Sequence, residues 1–182
     1  MTAAPTFSAD LLQWARRAGY ALTPSDSSGA AILWSDPGGE TRYYTRQGDD
    51  GWLMLTRASR GGGEQFTLRA SSMDVLERYL FGVFGDVIRD DEGLPILRSP
   101  WAESDVAVGY NLSPISEDGF MTLSTADSTA LAVAQGKTTG LLELVPLSQY
   151  LRLNISELKD SFLSEDGAPL MSGDSYTRTS NQ

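Results

Sequence analysis

Apolar positions recur along this chain with two periods, and the switches between them mark out the elements. Over residues 7–19, Leu11, Leu12, Ala15 and Ala18 fall on one face at helical spacing. Ser8 stands where an N-cap belongs, Phe7 can staple onto Leu12, and Gly19 supplies a C′ stop. The pattern then changes to short runs rich in strand formers at 30–35, 41–46, 51–59 and 64–71. The joints "DPGGE", "QGDDG" and "RGGGE" are turn clusters of hairpin length, which predicts an antiparallel meander. In the third run Trp52, Met54 and Thr56 share one face and Leu53, Leu55 and Arg57 the other. Both faces are largely apolar, as in a central strand covered on at least one side.

Helical spacing returns at Val75, Leu76, Tyr79, Leu80, Val83 and Phe84. It predicts an amphipathic helix over about 72–84, capped by Ser71 or Ser72, stopped by Gly85 and followed by the exit loop "RDDEGLP". Gly82 lies off the apolar stripe and costs on the order of 1 kcal/mol relative to Ala. A close backbone approach by another element is expected there. Further strands are expected at 106–112, 119–125, 130–135 and 141–145, with loops at "SPISEDG" and "GKTTG". A short helix opens at Pro146, and another follows with Asn154 as N-cap and Glu157 at the box position. The expected class is α+β: a largely antiparallel sheet packed with a central amphipathic helix and short C-terminal helices. One domain is expected over 1–171, with the polar, aperiodic residues 172–182 as a disordered tail.

Composition narrows the chemistry. The 182 residues carry 24 Asp and Glu against 14 Lys and Arg, a formal net charge of −10. Such a surface repels nucleic acid and anionic membranes and suits a basic partner; plain solubility is the bland alternative. No apolar run approaches the roughly 18 residues of a membrane span, and the first ten residues lack the pattern of a secretory signal. The absence of Cys rules out disulfides and fits a reducing cytosol. The absence of both His and Cys excludes Ser–His and Cys–His nucleophile systems and zinc sites built on those ligands. "RGGGE" joins two strands, so it reads as a hairpin turn and not as a phosphate loop. "SELK" (156–159) matches a Ser-x-x-Lys pattern in two residue types only, and Ser156 reads as a first-turn helix residue. The acidic "SEDG" and "DDEG" turns lack the ligand spacing of a calcium loop. No catalytic, cofactor-binding or metal-ligating residue is therefore nominated. The candidates for contact with a partner lie in two loops that mix apolar anchors with carboxylates. One holds Trp101, Glu103 and Asp105; the other holds Asn111, Ser113, Ile115, Glu117 and Asp118.

The string "VLERYLFGVFGDVIRDDEGLPIL", the later "GYNL" and the stretch "LLELVPLSQYLRLNISELKDSFLSEDGAPLM" resemble the immunity protein 61 family. The resemblance runs over residues 64–171 and leans on Glu77-Arg78-Tyr79-Leu80, Phe84-Gly85, Arg89, Gly93-Leu94-Pro95 and Gly167-Ala168-Pro169-Leu170. Members neutralise polymorphic toxins; one type is the antitoxin of the tuberculosis necrotizing toxin, a secreted NAD glycohydrolase. The resemblance implies a non-catalytic cytoplasmic protein that binds a cognate toxin domain one-to-one and occludes its active site. It implies no cofactor, no small-molecule substrate, no nucleic acid and no membrane. A secretion chaperone or adaptor for an export substrate is the competing reading.

Overall fold

Side-chain caps start three of the four helices. The Ser8 hydroxyl accepts the Leu11 N–H at 3.1 Å and opens α1 (Ala9–Arg17). Ser72 accepts the Val75 N–H at 3.3 Å and opens α2 (Met73–Asp91), which decides between the two candidate serines. Asn154 and Glu157 exchange bonds of 2.9 Å as a capping box at the start of α4 (Ile155–Leu163). Between them lies α3 (Lys137–Leu151), entered through Gly136 at φ 76°. The computed structural model describes residues 4–35 and 38–177.

The architecture is α+β. Eight strands form one sheet: β1 (Tyr20–Thr23), β2 (Ala31–Ser35), β3 (Thr41–Gln47), β4 (Leu53–Ser59), β5 (Gln65–Ala70), β6 (Tyr110–Leu112), β7 (Phe120–Thr125) and β8 (Ala130–Gln135). Their order is β1-β2-β3-β4-β5-β8-β7-β6, and every pairing is antiparallel. Two meanders thus meet where Ala70 of β5 faces Ala132 of β8. One face of the sheet presents Leu33, Tyr43, Leu55, Leu68, Ala132 and Leu123 to the helices, and all of these are buried. The other face carries half-buried Trp34, Tyr44, Met54, Phe66 and Val133. That alternation is the period-2 signature of a sheet covered on one side.

Helix α2 packs against α1, α3 and α4. Both of its internal glycines are contact points. A Cβ on Gly82 would come within 3.0 Å of the Tyr150 ring of α3, and one on Gly85 closer than 3.0 Å to three Phe162 ring atoms of α4. A neighbouring element does approach Gly82 closely, as a side-chain ring and not as the backbone expected there. The expected stop at Gly85 is not: α2 continues to Asp91, and Gly93 at φ 68° follows its end. Glycine serves both as a helix terminator and as a flat seat for a ring, and spacing alone does not separate the two.

Five further expectations are corrected. Residues 141–145 are the middle of α3, not a strand, because a five-residue Leu-rich run suits a buried helix as well as a buried strand. Pro146 lies inside that helix and does not open it, and "GKTTG" runs into its first turn. The strand expected at 106–112 shrinks to β6, preceded by a 3₁₀ turn at Glu103–Asp105. Residues 172–177 are not the disordered tail expected there. β9 (Met171–Ser172) and β10 (Ser175–Tyr176) make a hairpin that buries Tyr176, while residues 178–182 lie outside the described residues.

Candidate functional site

The residues that carry the family resemblance build the scaffold. Glu77 accepts both the N–H and the hydroxyl of Ser8 at 2.6 Å, tying the start of α1 to α2. Arg78 donates to the carbonyls of Tyr150 and Leu153 at the end of α3. Arg89 is 1% exposed and donates to the carbonyls of Phe162 (3.0 Å), Ser164 (2.5 Å) and Glu165 (3.1 Å) at the end of α4. Its other edge donates to the Pro95 carbonyl at 3.0 and 2.5 Å, which pins the exit loop. Two arginines of one helix thus satisfy the orphan carbonyls of two others, where a cation also suits the helix dipole.

Beside this hub runs a groove of about 350 Å³ between α2, α3 and residues 97–101. Tyr79, Val83 and Asp86 of α2 face Leu142, Glu143, Pro146 and Tyr150 of α3 across it. Leu97, Arg98, Ser99 and Trp101 form the third side. Glu143 accepts the Tyr79 hydroxyl at 2.6 Å. Burial pushes the Glu143 carboxyl up, opposed by that bond and by Arg57. Asp86 meets solvent along the groove yet is walled by protein. The crowding prevails and lifts its pKa to about 6 against the pull of Arg89. Two of its lining residues, Trp101 and Leu142, are exposed apolar side chains.

The structure separates the two groups of sequence candidates. Trp101 is 46% exposed and edges the groove. Glu103 is exposed, whereas Asp105 spends its side chain on the Ala102 N–H and its carbonyl on Gln149, near the end of α3. The second group forms the β6–β7 hairpin, held to the opposite end of α3 by the bond from Gly136 N–H to the Gly119 carbonyl. Only the hairpin tip stands at that far end, roughly 20 Å along α3 at 1.5 Å per residue; Asn111 follows Asp105 by six residues and sits near the end of α3, where the Tyr110 N–H reaches the Ala107 carbonyl and the Ala107 N–H reaches Ser148. Asn111, Ile115, Glu117 and Asp118 are exposed on the hairpin. Ser113 is structural: its N–H reaches the Thr122 carbonyl and its hydroxyl accepts the Thr122 N–H. Asp86, Leu142 and Glu143 were not singled out by the sequence. Asp86 sat just past the expected helix stop at Gly85, and the other two sat in a run read as a strand.

The weaker motifs fall into structural roles. "RGGGE" leads from β4 to β5, and its Glu64 pairs with Arg46 at 2.6 Å. Lys159 pairs with Asp10 and lies over the Trp14 and Phe81 rings. Among the described residues, no group of three or more His, Cys, Asp or Glu is placed to hold a metal ion. No helix among them is long and apolar enough to cross a membrane.

An α+β scaffold whose exposed features are loops, an acidic groove and apolar edge residues is that of a protein-binding module, and the family comparison agrees. The family model for immunity protein 61 matches residues 14–170, so the chain belongs to that family. It is similar to the immunity factor for TNT of Mycobacterium tuberculosis (strain ATCC 25618 / H37Rv), with 34% identity over 172 residues, 93% of this chain and 95% of that one. The immunity factor for TNT homolog of Mycobacterium bovis (strain BCG / Pasteur 1173P2) matches to the same extent. The solved structure of Rv3902c from M. tuberculosis superposes with a TM-score of 0.78 at 33% identity, covering 90% of this chain and 92% of that one.

Proposed function

We propose that this immunity protein is a non-catalytic inhibitor that binds a cognate toxin domain one-to-one in the cytoplasm and covers its active site. The observation that carries the reading is similarity over nearly the whole chain to proteins named as immunity factors for TNT. The proposed toxin is accordingly of the TNT type, an NAD glycohydrolase. Charge supports the pairing. Residues 71–177 hold 17 Asp and Glu against 6 Arg and Lys, so nearly all of the negative excess lies outside the first meander. Three of those cations, Arg78, Arg89 and Arg152, are spent on internal acceptors. An acidic surface suits a cleft shaped for a dinucleotide's phosphates. Trp101, Glu103 and Asn111 toward the end of α3, and Ile115, Glu117 and Asp118 toward its start, are the proposed contact points. A standard interface of about 800 Å² per partner spans both.

The test is NAD hydrolysis by the purified TNT domain, titrated with this chain. The expected result is inhibition complete at one equivalent and relieved by raising NAD. A complex that leaves hydrolysis untouched favours the chaperone reading, and full activity with no complex removes TNT-type toxins from the proposal.

A further inference from the structure

Resting on the reading of a toxin-binding protein, the geometry points to the groove between α2, α3 and residues 97–101 as a receptor for a basic side chain, an arginine by preference, carried by the partner. The groove holds two carboxylates, Asp86 and Glu143, against one cation, Arg98. Asp86 is paired with no cation and takes no hydrogen bond from a described residue. Glu143 holds only the Tyr79 hydroxyl. Pro146 has no N–H to offer the Leu142 carbonyl four residues earlier, so that helical acceptor is left without its usual partner, and both residues line the groove. Tyr150, 7% exposed, adds a phenol oxygen beside Ser99. Glu143, half-buried, is the costlier of the two to leave without a cation, and burial raises its carboxyl.

The complement of such a site is a flat cation with several N–H groups. A guanidinium offers five in a fixed fork and stacks on aromatic faces. Trp101 supplies such a face, while the buried Tyr79 and Tyr150 bring their hydroxyl ends to the walls. Trp101 and Leu142, both 46% exposed, then form the apolar edge that excludes water around a charged anchor. Arg98, the groove's own cation, makes no ion pair with either carboxylate among the described residues and leaves the site open to a partner.

The first test uses the whole chain and a small probe. N-acetyl-argininamide is titrated into 15N-labelled protein, with N-acetyl-citrullinamide as the neutral isostere. Saturable shifts confined to residues 79–86, 97–101 and 142–150 and to the Trp101 indole are expected. They should be absent with the citrulline probe and lost in the Asp86→Asn/Glu143→Gln double variant, whose folding is checked by thermal melting. No saturable shift, equal shifts with citrulline, or shifts that persist in the folded double variant would overturn the inference. The second test measures the affinity of the TNT domain. The double variant and Trp101→Ala should each bind roughly tenfold more weakly or worse. Undiminished binding by both overturns the groove. Failure of the unaltered chain to bind TNT counts against the proposed toxin alone and leaves the groove to the argininamide result.

Discussion

Arg89 shows how one side chain can set the relation of several elements. Its guanidinium is buried, and its hydrogen bonds all run to backbone carbonyls of the exit loop and the end of α4. Lysine keeps the charge but not the fork, so one ammonium cannot hold the Pro95 carbonyl and the α4 carbonyls together. Arg89→Lys should therefore cost about 2–3 kcal/mol of stability in urea unfolding, and Arg89→Met at least as much. Asp86 makes the complementary case. Its pKa is raised from 3.8 to about 6 in the folded chain, so the native state holds that proton more tightly than the unfolded state does. The contribution is present in full below pH 4 and is lost as pH rises to about 6, with Arg89 opposing the loss. Asp86→Asn should flatten the stability slope between pH 4 and 6 and leave the variant more stable than the parent at pH 7.

At the scale of elements, α2 is legible in outline and hidden in detail. Val75, Leu76, Leu80 and Phe84 repeat with helical period and are all buried, so the stripe could be read directly. The helix end could not, because Gly85 looks the same in sequence whether it stops a helix or seats the Phe162 ring. Gly82→Ala and Gly85→Ala decide the point energetically. Alanine gains on the order of 1 kcal/mol in helix propensity. Against that gain, a methyl at either site lands on a buried ring, and overpacking of this kind costs typically 1–3 kcal/mol. Both variants should be destabilised, Gly85→Ala more, since its Cβ would press on three Phe162 atoms at once. The readout is a lowered urea midpoint with an unchanged slope. The same ambiguity hid half of the groove. "LLELVP" carries no period that separates strand from helix, and the proline that looked like a start is the tenth residue of α3 and frees a carbonyl. Trp101 could be found because a tryptophan in a polar loop is unusual. Glu143 gave no such signal until α3 brought it opposite Tyr79.

The whole molecule adds a field that no single element carries. Net charge was readable from composition, but its placement was not. The meander of β1–β5 is nearly balanced, whereas the helices and the second meander hold the excess. Binding to a basic toxin cleft should therefore be steered. Raising salt from 50 to 500 mM is expected to slow association by about tenfold, since exposed charges more than a Debye length apart are screened. Dissociation should change little. The hairpin and the groove then become distinguishable by kinetics. Glu117 and Asp118 are exposed at the hairpin tip, so Glu117→Lys/Asp118→Lys should lower the association rate severalfold and leave dissociation almost unaltered. Asp86 and Glu143 lie inside the groove, so neutralising them should instead speed dissociation. Surface plasmon resonance with the TNT domain separates the two effects. If both variants changed only association, the groove would be part of the steering field and not an anchor.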